Sequence, residues 1–329
     1  MDNSRILVTG GNGFLGSNLV NRLIEMDVSS IRVVDNLERG NICGLDTDNS
    51  QIEFLNCDLT DPRSCVKACN NIDIVFHCAS KVGSIGYYEN NAADILSNNI
   101  TIDTEMLKAA QASNISLYVY FSSAFVYPVH RMQEPFGIPI NELEAIPANP
   151  AISYGWAKLI GEIALQYAVQ KDSNLRGIIL RLSNFYGPNQ SVDLKRGSII
   201  PVLIRRALEY PNLSPFSIIG SGQETRTYCY ISDVLDAIIL AVKQNNKHKM
   251  IGPLNIGSEE PIRIHDLAMK VIQISGKNID IVNLEAPQPK TLSQTLDCAQ
   301  AKILLNGWKS KVCLDDGLRI MYSHISETL

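Results

Sequence analysis

Thr9-Gly10-Gly11-Asn12-Gly13-Phe14-Leu15-Gly16 stands between two segments of opposite character. Before it, Arg5-Ile6-Leu7-Val8-Thr9 is a short apolar run that reads as a buried strand. After it, residues 15–26 place Leu15, Leu19, Leu23 and Met26 on one helical face. In such a strand–turn–helix unit Gly10 allows the tight turn. Gly13 lets the backbone approach a pyrophosphate, and Gly16 lets helix pack closely on strand. The helix N-terminus, with Phe14 and Leu15 in its first turn, offers unpaired N–H groups and partial positive charge to phosphates. A carboxylate about twenty residues further on, at the end of the next strand, would accept from ribose hydroxyls. Asp35 stands there, closing Ile31-Arg32-Val33-Val34-Asp35, with Asn36 beside it. The unit therefore reads as a dinucleotide site. Asp35 repels a 2′-phosphate, so NAD is expected rather than NADP, with Arg39 as the nearby residue that would accommodate one.

The rest of the first half repeats this alternation. Residues 52–56, 74–77, 117–121 and 177–182 read as strands, and residues 61–69, 97–113 and 154–171 as helices. Strands alternating with helices imply a parallel sheet covered on both faces. The expected fold is α/β, a doubly wound parallel sheet of Rossmann type with a smaller mixed C-terminal lobe. Residues 1–182 form the NAD-binding domain and 183–329 the substrate lobe, with some chain exchange between the two. Beyond residue 182 Gly and Pro recur more often, and helices are expected at 234–243, 265–274 and 315–326. Ligands of open α/β sheets bind at the carboxyl edge.

Composition excludes several classes. The 329 residues are 45% hydrophobic and 19% charged, ordinary for a soluble globular protein, and the net charge of −5 offers no basic surface for nucleic acid. The eight cysteines form no CxxC pair and read as reduced thiols; no metal is called for. There is no charged leader followed by an apolar core, and no apolar run of membrane-spanning length. A cytoplasmic location is the expectation.

Ser153-Tyr154-Gly155-Trp156-Ala157-Lys158 supplies the chemistry. Tyr154 and Lys158 are four apart and share a helical face. A tyrosine is a poor base at its ordinary pKa of about 10. An adjacent ammonium, together with a positive nicotinamide ring, favours phenolate and suits it to proton exchange with a sugar or alcohol hydroxyl. Ser123, after the strand ending at Phe121, falls at the sheet's carboxyl edge, where its hydroxyl can donate to a carbonyl or relay the proton. Asp58, at another strand end, reads either as a contact to the adenine amino group or as the N-terminal acid of the next helix.

The chain resembles the extended short-chain dehydrogenase/reductases that modify nucleotide sugars. The resemblance covers nearly its whole length. Beyond the glycine loop and Tyr154-x-x-x-Lys158 it is carried by Asp58-Leu59, His77-Cys78-Ala79-Ser80, Ser122-Ser123-Ala124-Phe125-Val126-Tyr127, Arg181-Leu182-Ser183-Asn184-Phe185-Tyr186-Gly187-Pro188 and Arg226-Thr227-Tyr228-Cys229-Tyr230-Ile231-Ser232-Asp233. It implies that Asp58, Leu59, Ala79, Lys81 and Asn99 line the cofactor and that Asn184 and Arg226 hold the diphosphate of a nucleotide sugar. Gly83 and Ser84, in the Gly-rich connection Lys81-Val82-Gly83-Ser84-Ile85-Gly86, would border the sugar. It also implies a homodimer built on the helices at 97–113 and 154–171.

The residues after Ser123 narrow the reaction. The family's 4,6-dehydratases and decarboxylases carry acids there, whereas Ala124 and Phe125 cannot transfer protons. GDP-mannose 3,5-epimerases and GDP-fucose synthases place Cys at the Phe125 position; Tyr127-Pro128 and Gly83-Ser84-Ile85-Gly86 resemble them, and Lys195 would be one acid or base, unless it is a solvated loop charge. Inversion at C4 needs only Ser123, Tyr154, Lys158 and a retained NAD. The expectation is an NAD-dependent epimerase of a nucleotide-linked hexose acting at C4, with a GDP-sugar favoured. The alternatives are an NAD(P)H-dependent reductase of a 4-keto sugar, a 3,5-epimerase with altered acid and base, and a non-catalytic dinucleotide sensor. Gln294 stands three residues before Asp297, where related enzymes carry an Arg, so one charged contact to the nucleotide is missing.

Overall fold

The computed structural model describes residues 4–28, 30–38, 45, 49–134, 136–285 and 291–329. The chain runs β1 (Arg5–Thr9), α1 (Phe14–Glu25), β2 (Ser30–Asp35), β3 (Ile52–Asn56), α2 (Pro62–Cys69), β4 (Ile74–His77), α3 (Ile85–Asn90), α4 (Ala92–Ala112), β5 (Leu117–Ser123), α5 (Ser153–Lys171) and β6 (Arg176–Leu182). It continues through β7 (Asn184–Tyr186), α6 (Ile199–Glu209), β8 (Ser217–Ile219), β9 (Thr225–Tyr230), α7 (Ile231–Gln244), β10 (Met250–Ile256), β11 (Pro261–Arg263), α8 (Ile264–Ser275), β12 (Val282–Leu284), α9 (Ala299–Leu304) and α10 (Leu314–Thr328).

Seven parallel strands in the order β10-β6-β5-β4-β1-β2-β3 make the main sheet. Alternate residues of its strands face opposite sides. Ile6, Val8, Ile31, Val33, Val119 and Leu180 join one apolar cluster, which includes Leu19 and Leu23 of α1 and Ile238 of α7. Leu7, Val34, Val75, Tyr118 and Ile179 join a second, with Cys65 of α2, Met106 of α4 and Leu165 of α5. This two-sided burial is why the strands read as near-continuous apolar runs. Cys65 and Cys69 are core residues whose thiols burial pushes up to about 12, and the seven described cysteines are free; Cys43 lies outside the described residues.

The second half does not stay in its own lobe. β10 returns to pair with β6 as the edge strand, with a register shift between Ile251 and Leu254 around Gly252 and Pro253. A strand proline is tolerated at such an edge irregularity. The smaller lobe holds the mixed sheet β11-β9-β7 and the pair β12-β8. Phe14 at the start of α1 stacks on Phe185 of β7, ring centroids 5.6 Å apart, so the lobe meets the glycine-loop end of the sheet. Among the described residues no helix is long and apolar enough to cross a membrane.

Candidate active site

The glycine loop is shaped for close approach. Gly10 has φ +60°, and a Cβ there would fall 2.7 Å from the Ala79 backbone; one on Gly16 would fall 2.2 Å from Gly10 O. β1, the turn, the start of α1 and Ala79 after β4 thus close into one cradle that side chains would fill. Asp35 Oδ2 accepts from Asn12 N–H (3.0 Å) and Oδ1 from Leu37 N–H (2.9 Å), tying the end of β2 to the loop. Asn36 caps the turn that follows, its Oδ1 accepting from Glu38 N–H (3.1 Å). Arg39 lies outside the described residues. Asp58 is exposed and accepts from Thr60 N–H (2.8 Å), while Asp61, not Asp58, caps α2 by accepting from Arg63 N–H (3.1 Å). Leu59 is buried beneath it. These residues fit a dinucleotide: a backbone cradle with no side chain in it and a carboxylate at the end of β2.

Asn99 works at one remove. It is fully buried on α4; its Oδ1 accepts from Lys81 N–H (2.7 Å) and Ser80 O–H (2.8 Å), and its Nδ2 donates to Lys81 O (3.1 Å) and Ile95 O (2.9 Å). The amide is therefore spent on fixing the stretch after β4. Lys81 Nζ reaches Glu38 at 3.6 Å, bridging that stretch to the turn after β2.

The Ser–Tyr–Lys group forms where β5 ends against the start of α5. Ser123, 9% exposed, closes β5, and its Oγ accepts from Phe125 N–H (3.2 Å). A Cβ on Gly155 would lie 2.1 Å from Phe125 O, so Tyr154-Gly155 lets the helix start press against the segment after Ser123. Lys158 is buried on the same helical face, its Nζ 5.9 Å from the Tyr154 ring centroid and 4.7 Å from that of Tyr120. Phe125 packs edge-on against Tyr154 (6.3 Å) and Tyr88 of α3 stacks on it (5.2 Å).

Burial, then the Asp103 carboxylate, hold the Tyr154 phenol well above its ordinary range, and a hydrogen bond to Ser80 opposes them only in part. The reason is geometric. The lysine charge is shared with Asp103, 3.8 Å away, which sequence reading had not singled out. The signal was present: Asp103 is a charge four residues after Asn99, on the sheet-facing side of a helix whose neighbours there are Met106, Leu107 and Ala110.

On the substrate side, the Gly-rich connection is shorter than expected, because α3 starts at Ile85. Ser84 caps it, accepting from Tyr87 N–H (3.3 Å), and donates to Lys195 O (3.0 Å), while Gly83 packs under the Tyr87 ring. The two loops expected to border the sugar are thus joined, with the Lys195 side chain exposed. Asn184 on β7 donates to Thr227 O (3.3 Å) of the adjacent β9, which carries Arg226. Arg226 donates to Thr225 O (2.7 Å), Thr291 O (3.2 Å) and Thr291 Oγ1 (3.1 Å); among the described residues no carboxylate lies within ion-pair distance of it. Gln294 is buried on the same Thr291–Leu296 segment, and its Nε2 has no partner among the described residues.

The family model for the NAD dependent epimerase/dehydratase family matches residues 6–257. The chain belongs to this family. Its members include enzymes that act on nucleotide sugars with NAD as cofactor. The chain is 27% identical to GDP-mannose 3,5-epimerase of Arabidopsis thaliana over all of this chain and 84% of that protein. Its fold is similar to UDP-glucose 4-epimerase of Thermotoga maritima (TM-score 0.85, 25% identity, 98% of this chain and 99% of that one). UDP-glucuronic acid 4-epimerase of Bacillus cereus, solved with UDP-glucuronic acid and NAD, is as similar (TM-score 0.85, 28% identity, 99% and 100%). The cofactor of this family is NAD.

Proposed function

We propose that the protein inverts a nucleotide-linked hexose at C4 through a transient 4-keto sugar, retaining its NAD from one turnover to the next. The observation that carries this reading is the wall around Tyr154. The rings of Phe125 and Tyr88 pack on it, and Phe125 occupies the position from which the family's eliminating and decarboxylating enzymes, by resemblance, present an acid. That wall favours chemistry needing a single proton-transferring group. Tyr154 takes the proton of the 4-hydroxyl and returns it, Ser123 donates to the carbonyl oxygen, and Lys158 supplies positive charge beneath. NAD, when bound, would supply the acceptor and donor for the C4 hydride. The glycine cradle, Asp35, Asn36, Asp58, Leu59, Ala79 and Lys81 hold the cofactor, with Asn99 fixing Lys81. Arg226 and Asn184 grip the diphosphate, and the buried Gln294 Nε2 gives a neutral donor where relatives carry a charged one. A GDP-linked hexose is favoured, on the likeness of Tyr127-Pro128 and of the 3,5-epimerase relative.

The Ser84–Lys195 contact favours one second reading, a 3,5-epimerase in which Lys195 is one of two proton-transferring groups. α5 also exposes Trp156, Ile160, Ile163 and Tyr167 at helical spacing, the face on which we expect a homodimer, with residues of α4 beside it. Light scattering on the purified protein reads the oligomer, and a monomer at working concentration contradicts it.

The test is to denature purified protein and identify the released nucleotide, then incubate intact protein with UDP-, GDP-, CDP- and dTDP-hexoses without added cofactor. Released NAD and conversion of one hexose to its 4-epimer is the expected result. Turnover that requires NADPH and a 4-keto sugar makes the protein a reductase instead. Tyr154→Phe lowers turnover by about 10²–10⁴-fold while leaving the released NAD unchanged.

A further inference from the structure

Behind Tyr154 and Lys158 lies a run of buried polar groups that the reaction above leaves unused. Lys158 Nζ meets Asp103 Oδ1 at 3.8 Å, the two side chains being 2% and 3% exposed. The same carboxylate meets His77 Nε2 at 3.0 Å and accepts from the Tyr120 hydroxyl. His77 Nδ1 lies 2.9 Å from Thr9 Oγ1, and that oxygen already accepts from Ala79 N–H (3.1 Å). The Thr9 proton is then free for Nδ1, which places the imidazole proton on Nε2, facing Asp103. Burial holds the ring below its ordinary pKa, so it approaches the carboxylate as a neutral donor.

The fold makes room for this arrangement. A Cβ on Gly161 would lie 2.2 Å from the Tyr120 hydroxyl and 2.9 Å from Asp103 Oδ2, so the glycine on α5 admits both beneath the helix. Asp103 from α4, His77 from β4, Tyr120 from β5 and Lys158 from α5 meet at one carboxylate.

A buried ammonium needs an anion, because desolvation otherwise favours the neutral amine. The titratable groups facing Lys158 are Asp103, His77 from β4, held neutral by burial, Cys78 from the stretch after β4, Tyr120 from β5, and Tyr154 and Glu162 from its own helix. Burial keeps the Cys78 thiol and the Tyr120 phenol protonated; it holds the Tyr154 phenol up as well, and Tyr154 would give up its proton only with a positive nicotinamide ring beside it. Glu162 is taken by both arms of Arg181 (2.8 and 2.7 Å) and by Ser122. Asp103 is left as the anion for the lysine.

We propose that Asp103, held from behind by His77 and Tyr120, is the counter-ion that keeps Lys158 positively charged beneath the catalytic tyrosine. Asp103 is a positioning residue: it acts through Lys158. The inference rests on the epimerase reading for its kinetic arm only.

The test follows the Lys158 Cε signal by NMR across pH in the full chain as purified, with isotope-labelled lysine and the signal assigned by Lys158→Met. In Asp103→Asn, Lys158 titrates at least about one pH unit lower than in the native protein, and the alkaline limb of kcat/KM moves down with it. Asp103→Glu, which restores the charge, recovers most of both shifts. Tyr120→Phe removes one hydrogen bond from the same carboxylate and keeps its charge, so it moves neither. Should Asp103→Asn not fold, Asp103→Ser, which leaves space for water, is read the same way. A Lys158 titration unmoved in Asp103→Asn, or moved equally by Tyr120→Phe, overturns the proposal. The NMR arm needs no substrate. A native protein without epimerase activity therefore sinks the reaction assigned above while Lys158 still reports on Asp103.

Discussion

Arg181 and Arg226 are both arginines drawn out of water, and the protein uses them in opposite ways. Arg181, 3% exposed on β6, faces Glu162 of α5 in a two-armed pair and gives its Nη1 donors to Glu142 O (2.7 Å) and the Tyr127 hydroxyl (3.2 Å). Burial would lower its pKa, and Glu162 more than reverses this. Among the described residues Arg226 donates to neutral oxygens of Thr225 and Thr291, and burial leaves its pKa depressed, with Tyr228 and Glu224 opposing only in part. The first charge is cancelled inside the fold and locks α5 to the sheet. The second is uncancelled at the edge of the smaller lobe, where an anionic ligand would complete it.

If that contrast holds, the two arginines fail differently. Arg181→Met strands Glu162 as a buried charge and costs about 3–5 kcal/mol of stability; urea unfolding measures it, and Arg181→Met combined with Glu162→Leu recovers most of the loss. Arg226→Ala costs little stability. It weakens binding of the nucleotide sugar by about 1.5–3 kcal/mol, roughly ten- to over a hundredfold in Kd by calorimetry. Arg226→Lys recovers only part of this, because an ammonium lacks the two-armed fork. A large stability loss in Arg226→Ala with unchanged affinity breaks the comparison.

A third, smaller effect comes from His77. Its folded pKa lies below the ordinary value of about 6.5 because it is buried. The unfolded chain therefore takes up a proton that the folded one refuses. Stability is complete above about pH 6.5 and falls as pH drops below it, by at most about 1.4 kcal/mol per pH unit from this group. Urea unfolding at neutral pH and about pH 5, with His77→Gln as the variant lacking this slope, measures it. Smallest is Thr291→Val, which removes one acceptor from Arg226 and weakens nucleotide-sugar binding by about 0.5–1.5 kcal/mol with stability nearly unchanged.

Much of this was legible beforehand where local pattern and tertiary role agree. Residues 5–9, 52–56 and 74–77 are strands with the expected bounds; β1 and β4 lie inside the sheet and are apolar almost throughout, while edge strand β3 alternates apolar Ile52 and Phe54 with exposed Glu53 and Asn56. α4 begins at Ala92, earlier than the 97–113 expected, since Asn98 and Asn99 look like helix-end residues. In the helix their Nδ2 groups bond back to Asp94 O (2.7 Å) and Ile95 O (2.9 Å), which lets both stay inside it. β10 escaped notice because Gly252-Pro253 interrupts its apolar run, and only its pairing with β6 makes it a strand. α6 was not singled out, with Pro201 close to its start, where a proline is tolerated. Ser123, Tyr154 and Lys158 come from motif and lie together where β5 meets α5. Asp103 and His77 depend on which faces of α4 and β4 meet beneath α5, a fact of packing that no single segment carries.

The most direct test of the central claim is to give the intact protein a nucleotide hexose deuterated at C4, in ordinary water with no added cofactor, and to locate the label in the product. The account predicts a 4-epimer that keeps its deuterium at C4, with no solvent hydrogen entering C3 or C5. Solvent exchange at C3 or C5 with inversion there, or loss of the C4 label to water, would contradict it.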